Sequence, residues 1–153
     1  MSVEGAVSFE AIIEELVDAG QFAASAGVKL EISQITEQNL RFFATFRNRA
    51  GTEFFAEFDC HDYPLYPPTI EFTDEKRTVK GNHSLYPNVF HPTPCVCMRY
   101  NRKAYTERGG PHGDWRLIDW HLATPGGGPI NTLAMIISDM HTKILDSTGR
   151  MNG

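Results

Sequence analysis

Four short stretches in which apolar and polar residues alternate limit the fold of this chain more than any other feature. They cover residues 28–32, 40–46, 54–58 and 70–72, and their apolar positions are rich in Phe, Ile and Leu. A period of two is typical of a β-strand with one buried face. Residues 48–51 supply a turn between the second and third stretches, and consecutive strands are therefore predicted to pair as an antiparallel meander.

A helix is predicted before this meander, over residues 8–26. Its apolar side chains fall on one face at helical spacing: Phe9, Ile12, Ile13, Leu16 and Val17. Ser8 is the expected N-cap and Gly27 the expected stop. The acidic residues are predicted to gather on the solvent side: Glu10, Glu14, Glu15 and Asp18. This acidic side is either a solvated surface or a surface for a partner.

A second helix is predicted over residues 130–146, with Pro129 in its first turn and Gly149 as a terminator. Its buried stripe is expected to contain Leu133, Ile136, Ile137, Met140 and Ile144. An N-terminal helix, a four-stranded antiparallel meander, a long loop and a C-terminal helix packed on the sheet predict an α+β fold. No repeat or linker divides the chain, so residues 1–153 are expected to form a single domain.

Composition limits the classes of partner. The net charge of −5 and the absence of clustered Lys and Arg argue against nucleic acid and anionic membranes as partners. No apolar run approaches the ~18 residues that a membrane span needs, and the acidic start lacks the pattern of a secretory signal. Three cysteines are an odd number, whereas small secreted scaffolds use paired ones. We therefore expect a cytoplasmic protein.

The regular pattern stops between residues 73 and 128, where Gly, Pro, His and Asn are frequent. A loop much longer than ~12–15 residues in a compact domain is usually functional or disordered. This segment contains Trp115, Trp120, Cys95 and Cys97, a composition that argues against disorder. We therefore expect it to contain the functional site.

The two close cysteines, Cys95 and Cys97, allow several interpretations. A zinc site would draw further ligands from nearby histidines: His83, His91, His112 or His121. The C-x-C spacing is unlike the C-x(2–4)-C of structural zinc sites and the C-x-x-C of reactive dithiols. The glycine run at residues 125–129 lacks the phosphate-binding P-loop pattern and is predicted to be a flexible joint. No metal or other cofactor is predicted, and the expected chemistry is that of one nucleophilic thiol.

Several motifs resemble those of the ubiquitin-conjugating (UBC-like) family. "YPLYPPTIEF" (63–72) is similar to the family's Tyr-Pro-x-x-Pro-Pro-x-apolar-x-Phe signature, and "YPN" (86–88) to its His-Pro-Asn motif, with Tyr86 in place of His. "VCM" (96–98) resembles the catalytic apolar-Cys-apolar triplet, Gly51-Thr52 a Gly-Thr pair, and Trp120 the tryptophan before the next helix. The stretch between Phe72 and Tyr86 is longer than is usual in the family.

The resemblance implies an enzyme that accepts the C-terminal acyl group of a ubiquitin-like modifier on a cysteine and passes it to a lysine amine. Its implied partners are that modifier, a cognate activating enzyme and a target protein. The chain has one helix after the cysteines, a compact form that resembles the prokaryotic members. Those members are encoded in bacterial operons with an activating enzyme and a deconjugating protease, and some operons serve antiphage defence. The alternative is a catalytically inactive UBC-like module that binds a ubiquitin-like protein non-covalently.

The resemblance implies Cys97 and Asn88 as catalytic residues. Cys97 is favoured over Cys95 because its neighbours match the family triplet, while the spacings of nine and seven residues from Asn88 do not discriminate. Asn88 either stabilises the tetrahedral oxyanion or is only a turn residue after Pro87. Tyr86 is predicted to be a packing ring, and no general base is assigned among the loop's His and Asp residues.

Overall fold

The computed structural model describes residues 3–122 and 128–151. Two α-helices, α1 (Val3–Ala26) and α2 (Leu133–Leu145), flank four strands in the chain. The strands are β1 (Lys29–Glu31), β2 (Arg41–Arg47), β3 (Glu53–Asp59) and β4 (Thr69–Thr73), followed by four short 3₁₀ turns. The predicted α+β architecture, with an N-terminal helix, a four-stranded antiparallel sheet and a C-terminal helix, is confirmed.

The sheet has the order β1-β2-β3-β4, and every neighbouring pair is antiparallel, so the predicted meander is confirmed. Alternation places one face of the sheet in the core. Phe42 lies opposite Phe58 and Ala44 opposite Ala56, and these four side chains are buried. The rings of Phe42 and Phe58 stack with their centroids 4.7 Å apart. Helix α2 contacts β2, α1 contacts β1, and the two helices contact each other.

Helix α1 differs from the prediction at its start and in its buried face. It begins at Val3, and Ser8 is a buried residue inside the helix and not its N-cap. Ile13 and Val17, predicted to be buried, are 44% and 61% exposed. The buried stripe contains Ile12, Leu16, Ala19 and Ala23. The prediction did not include Ala19 and Ala23, which continue the stripe of Ile12 and Leu16 towards the end of the helix.

Glu15 was expected on the solvent side of α1, and this prediction is wrong. Its Oε1 accepts a 2.5 Å hydrogen bond from the Tyr63 hydroxyl and a 2.8 Å hydrogen bond from the backbone N–H of Leu133. Leu133 is the first residue of α2, whose unpaired N–H groups favour a carboxylate. Glu15 therefore joins α1, the proline-rich segment and the start of α2.

Helix α2 begins later than predicted because Thr132 caps it, accepting a 3.2 Å hydrogen bond from the N–H of Met135. Pro129 accordingly precedes the helix. The predicted buried stripe of α2 is confirmed, since all five of its residues are fully buried. Most of the predicted joint at residues 125–129 lies outside the described residues. No helix in the described ranges is both long enough and apolar enough to cross a membrane.

The stretch between β4 and residue 82 folds back across the outer face of the sheet. The Arg77 guanidinium lies 4.0 Å from the centre of the Phe43 ring and pairs with Glu31. Lys80 Nζ lies 3.3 Å from Glu57 on the same face. Residues 74–82, part of the stretch that is longer than is usual in the resembled family, therefore form a cover over this part of the sheet.

Candidate functional site

A tight loop closes just before the two cysteines. The backbone N–H of His91 donates a 3.1 Å hydrogen bond to the Cys95 carbonyl, and the backbone N–H of Cys95 donates a 3.0 Å hydrogen bond to the His91 carbonyl. The N–H of Thr93 donates to His91 Nδ1 at 3.2 Å inside this loop. The prolines at positions 92 and 94 have no backbone N–H, and all three hydrogen bonds are donated by other residues of the loop. The loop fixes the direction in which the chain enters the segment 95–98.

Cys97 lies at the centre of a three-residue turn, because the N–H of Met98 donates to the Val96 carbonyl at 2.9 Å. Val96 is fully buried, and Cys97 is half-buried. Cys95 is only 4% exposed and Cys60 is fully buried at the end of β3. Of the three thiols, Cys97 is therefore the most accessible to a partner.

Asn101 fixes this turn to the sheet. Its side chain is fully buried, and its Oδ1 accepts hydrogen bonds from the N–H groups of Ile70 (2.9 Å) and Lys103 (3.1 Å). Its Nδ2 donates to the carbonyl of Val96 at 2.9 Å and to that of Ile70 at 3.3 Å. Val96, between the two cysteines, is thus connected to strand β4 through the side-chain amide of Asn101.

The cysteine environment raises the pKa of both thiols. Burial raises the pKa of Cys97, while a hydrogen bond from the Cys95 thiol opposes that shift. Burial and the neighbouring Cys97 raise the pKa of Cys95 much further. At neutral pH both groups are protonated. A thiolate on Cys97 would be the better stabilised of the two, because Cys95 donates to its sulfur.

Asn88 is placed by the segment that follows α2, not by the cysteine loop. Its Oδ1 accepts from the Ser147 hydroxyl (2.9 Å) and from the N–H of Thr148 (3.1 Å). Its Nδ2 donates to Thr148 Oγ1 at 2.7 Å, and its backbone N–H donates to Gly149 at 2.9 Å. Because an amide nitrogen carries two hydrogens, the exposed Nδ2 keeps one for another acceptor. No hydrogen bond joins Asn88 to either cysteine among the described residues.

The other residues of the resembled motifs are structural. Tyr86 is fully buried and its ring packs at 5.1 Å against Phe72, which confirms it as a packing ring. Burial raises the pKa of the Tyr86 hydroxyl to about 12. The indole Nε1 of Trp120 donates to the carbonyls of Leu65 (3.1 Å) and Pro64 (3.2 Å). Trp120 therefore holds the loop before α2 against the proline-rich segment.

The loop histidines are used in packing. The His112 ring stacks on Trp115 with centroids 3.6 Å apart, and His121 lies 4.3 Å from the Trp120 ring. Across residues 3–122 and 128–151, no three His, Cys, Asp or Glu side chains come together as metal ligands would. The hydrogen bonds around Cys95 and Cys97 instead fix the backbone of the loop that carries these two thiols.

Sequence reasoning missed Asn101, Ser147 and Thr148. Asn101 carries a local signal, since its side chain caps the turn Arg102–Ala104. Its bonds to Ile70 and Val96 cross the fold and leave no periodic pattern in the sequence. Ser147 and Thr148 likewise act on a residue far away in the chain.

Comparisons of the chain with protein-family models, with curated proteins and with solved structures give no match in any of the three. Membership of the UBC-like family is therefore a proposal that rests on the motifs and the order of the elements. The chemistry of the site follows from its own contacts.

Proposed function

We propose that the protein is a UBC-like conjugating enzyme that accepts the C-terminal acyl group of a ubiquitin-like modifier on Cys97 and passes it to a lysine amine. The observation that supports this most is that Cys97 is partly exposed, unlike the other two thiols, on a turn that Asn101 anchors to β4. A thiol that must meet the active sites of two other proteins has to be accessible, and its position has to be fixed.

In the first step, the Cys97 sulfur attacks the thioester carbonyl of a modifier carried by its activating enzyme. A new carbon–sulfur bond forms, the old one breaks, and the Cys97 proton ends on the departing thiol. The raised pKa of Cys97 means that this thiol is protonated before the partner arrives. The Cys95 hydrogen bond then stabilises negative charge on the Cys97 sulfur as the proton leaves.

In the second step, a lysine amine attacks the Cys97 thioester and forms a tetrahedral oxyanion. An amide N–H is a suitable donor for that charge. The Nδ2 hydrogen of Asn88 that remains after the Thr148 bond is the proposed donor. Collapse of the intermediate forms the amide bond and breaks the bond to Cys97, and the proton that the amine nitrogen gives up ends on the departing Cys97 sulfur.

A second candidate is a UBC-like module that binds a ubiquitin-like protein without a covalent step. The raised pKa of Cys97 and the engagement of Asn88 with residues 147–149 favour it. A binding module needs the fold and an exposed surface, but neither a reactive thiol nor a free amide. The two candidates therefore differ in whether Cys97 is required.

The test is to incubate the protein with ATP and candidate pairs of a bacterial activating enzyme and its ubiquitin-like modifier, followed by a non-reducing gel. We expect a band shift that thiol reductant removes, its loss in Cys97→Ala, and its retention in Cys95→Ala and Cys60→Ala. In Cys97→Ser, we expect an ester that resists the reductant. Loss in Cys95→Ala with retention in Cys97→Ala would overturn the assignment. Equal modifier binding by wild type and Cys97→Ala, with no adduct, would establish the binding module.

A further inference from the structure

An open groove of about 460 Å³ lies where β2, β3 and β4 meet the loop that follows the cysteines. We call it the basic groove. Its lining includes Arg41, Arg102, Lys103, Arg108 and His61, with Asp59 as its acidic member. The whole chain has a net charge of −5, whereas the lining of this groove carries four cations against one carboxylate. Such a patch attracts anionic ligands.

The cations of the basic groove are neutralised only in part, since Lys103 pairs with the carboxylate of Glu71 while Arg108 has no such partner among the described residues. Arg108 is exposed and takes part in no ion pair within the described ranges. Arg41 lies 3.5 Å from Asp59 and 3.9 Å from Glu57, while its own side chain is half exposed. Exposed ion pairs of this length contribute little to stability, and these guanidinium groups stay available to a ligand.

Arg102 adds a buried charge beneath the groove. The residue is 7% exposed, and its guanidinium lies 4.6 Å from the centre of the Tyr66 ring. Its Nη1 donates to the His61 carbonyl at 3.2 Å and lies 3.4 Å from the Asp62 carboxylate. Its Nε–H has no acceptor among the described residues. One long ion pair leaves this buried guanidinium undercompensated, which strengthens the positive potential of the groove.

Lys103 connects the basic groove to the cysteine loop. It also lines a second groove of about 440 Å³, together with Pro94, Cys95, Gly109 and Gly110. Gly110 lies directly against the backbone of residues 103–104, since a Cβ there would be 2.2 Å from the Lys103 carbonyl. A chain segment that enters the basic groove can therefore continue past Lys103 towards Cys95.

We propose that the basic groove binds an acidic segment of a partner protein. Its four cations come from three separate parts of the chain, at positions 41, 102–103 and 108, and border an open groove, which suits carboxylates spaced along an extended peptide. A compact phosphate site would instead converge backbone N–H groups on one point. This surface does not depend on thioester chemistry and belongs equally to a conjugating enzyme or a binding module.

The test is fluorescence anisotropy with a labelled peptide of alternating Glu and Gly and a matched Gln and Gly peptide. We expect the acidic peptide alone to bind, with an affinity that falls as salt is raised. Arg108→Glu should weaken binding about tenfold or more, and Arg41→Gln should weaken it less. Arg116→Glu is the matched control, since it makes the same charge change at an exposed arginine outside the groove lining. It should leave binding within about twofold of wild type.

Competition separates the acidic peptide from other anions. Inorganic phosphate, ATP and a single-stranded oligonucleotide are titrated against the bound acidic peptide. Displacement by the oligonucleotide or ATP at concentrations below those of unlabelled peptide would overturn the proposal. Equal binding of the neutral peptide would also overturn it, as would an equal loss in Arg116→Glu. Circular dichroism of each variant confirms that a loss of binding reflects the groove and not unfolding.

Discussion

The hydroxyl of Ser147 donates a 2.9 Å hydrogen bond to Oδ1 of Asn88, across 59 positions of sequence. Together with the Thr148 N–H, it occupies the carbonyl end of the Asn88 amide. The orientation of Asn88 is therefore set by the residues that follow α2.

Two substitutions separate the structural and chemical roles of Asn88. Asn88→Asp keeps an acceptor for Ser147 and Thr148 but removes the Nδ2 donor. We expect it to form the Cys97 thioester and to discharge it to free lysine about 10²–10³-fold more slowly. Asn88→Ala should discharge as slowly and also lose about 1 kcal/mol of unfolding free energy, since it removes the bonds to Ser147 and Thr148 while the Ser147 hydroxyl keeps the Gly149 carbonyl as an acceptor. Single-turnover discharge and urea denaturation measure the two effects. Normal discharge by Asn88→Asp would make Asn88 a structural residue only.

Thiol labelling should follow the burial order of the cysteines. With iodoacetamide and peptide mass spectrometry, Cys97 should react first, while Cys95 and Cys60 should react only after denaturation. Because burial raises the pKa of Cys97, its thiolate fraction grows at higher pH than that of a free thiol. Its labelling rate should therefore still increase at pH values where N-acetylcysteine has levelled off. Earlier labelling of Cys95 in the native protein would contradict the accessibility of Cys97.

The same shifts predict how stability depends on alkaline pH. A thiol whose pKa is raised on folding is protonated in the native state at pH values where it ionises in the unfolded chain. The contribution of this thiol to the free energy of unfolding is complete below its pKa in the unfolded chain. It is lost as the pH rises through its pKa in the native state. We expect the unfolding free energy to fall above about pH 9, and to fall less steeply in Cys95→Ala, even though that variant is less stable at neutral pH. Parallel profiles for the two proteins would contradict the shift.

Asn101→Ala should be strongly destabilising. The substitution leaves buried backbone groups of Ile70 and Val96 without partners, and we expect a loss of about 2–4 kcal/mol in urea denaturation. Cys95 should become open to iodoacetamide in this variant while the protein is still folded. Asn82→Ala is the matched control, because Asn82 is exposed and caps only a short turn, and about 1 kcal/mol or less is expected. Continued protection of Cys95 would show that the cysteine turn does not depend on Asn101.

Glu15 should couple the Tyr63 hydroxyl to α2. In a double-mutant cycle with Glu15→Ala, which removes the acceptor, and Tyr63→Phe, we expect an interaction energy of about 1–2 kcal/mol. Glu10→Ala with Tyr63→Phe is the control cycle, since Glu10 is exposed on the same helix, and it should show no coupling. Additive effects of Glu15→Ala and Tyr63→Phe would contradict the shared hydrogen bond.

Arg77 should stabilise the cover over the sheet in a pH-dependent way. The hydrogen bond from Arg77 lowers the pKa of Glu31 in the native state. The pair therefore contributes to the free energy of unfolding above the pKa of this carboxyl in the unfolded chain. The contribution is lost as the pH falls through the pKa of Glu31 in the native state. The difference in unfolding free energy between wild type and Arg77→Gln should therefore narrow on acidification. It should not vanish, since the contact with Phe43 persists. A difference that is independent of pH would assign all of the effect to Phe43.

The strands were predictable because Phe and Ile alternate with polar residues, as at Phe54, Ala56 and Phe58. One-sided burial leaves a period of two that can be read directly from the sequence. The face of α1 was predicted less well. Ala19 and Ala23 are buried, and Ile13 and Val17 exposed, because close helix packing selects small side chains where hydrophobicity alone selects large ones.

The site was predictable only in part. The motif residues Cys97, Tyr86 and Trp120 could be identified from their neighbours in the sequence. Asn101 and Ser147 could not, because hydrogen bonds between distant parts of a chain follow no local spacing. Glu15 shows the same limit, since an acidic residue among others on a helix looks solvated until its partners are known.

Asn101 and Gly81 also occupy backbone groups on an edge of the sheet to which a strand of another molecule could pair. β4 is an edge strand, and three neighbours occupy its outer backbone groups: Arg102 at Pro68, Asn101 at Ile70 and Gly81 at Phe72. The opposite edge, β1, is only three residues long. An open edge invites a strand from another molecule, and covered or short edges discourage it. The segments around Gly81 and Asn101 thus also shield the sheet from strand exchange between molecules, and damage to them would favour aggregation.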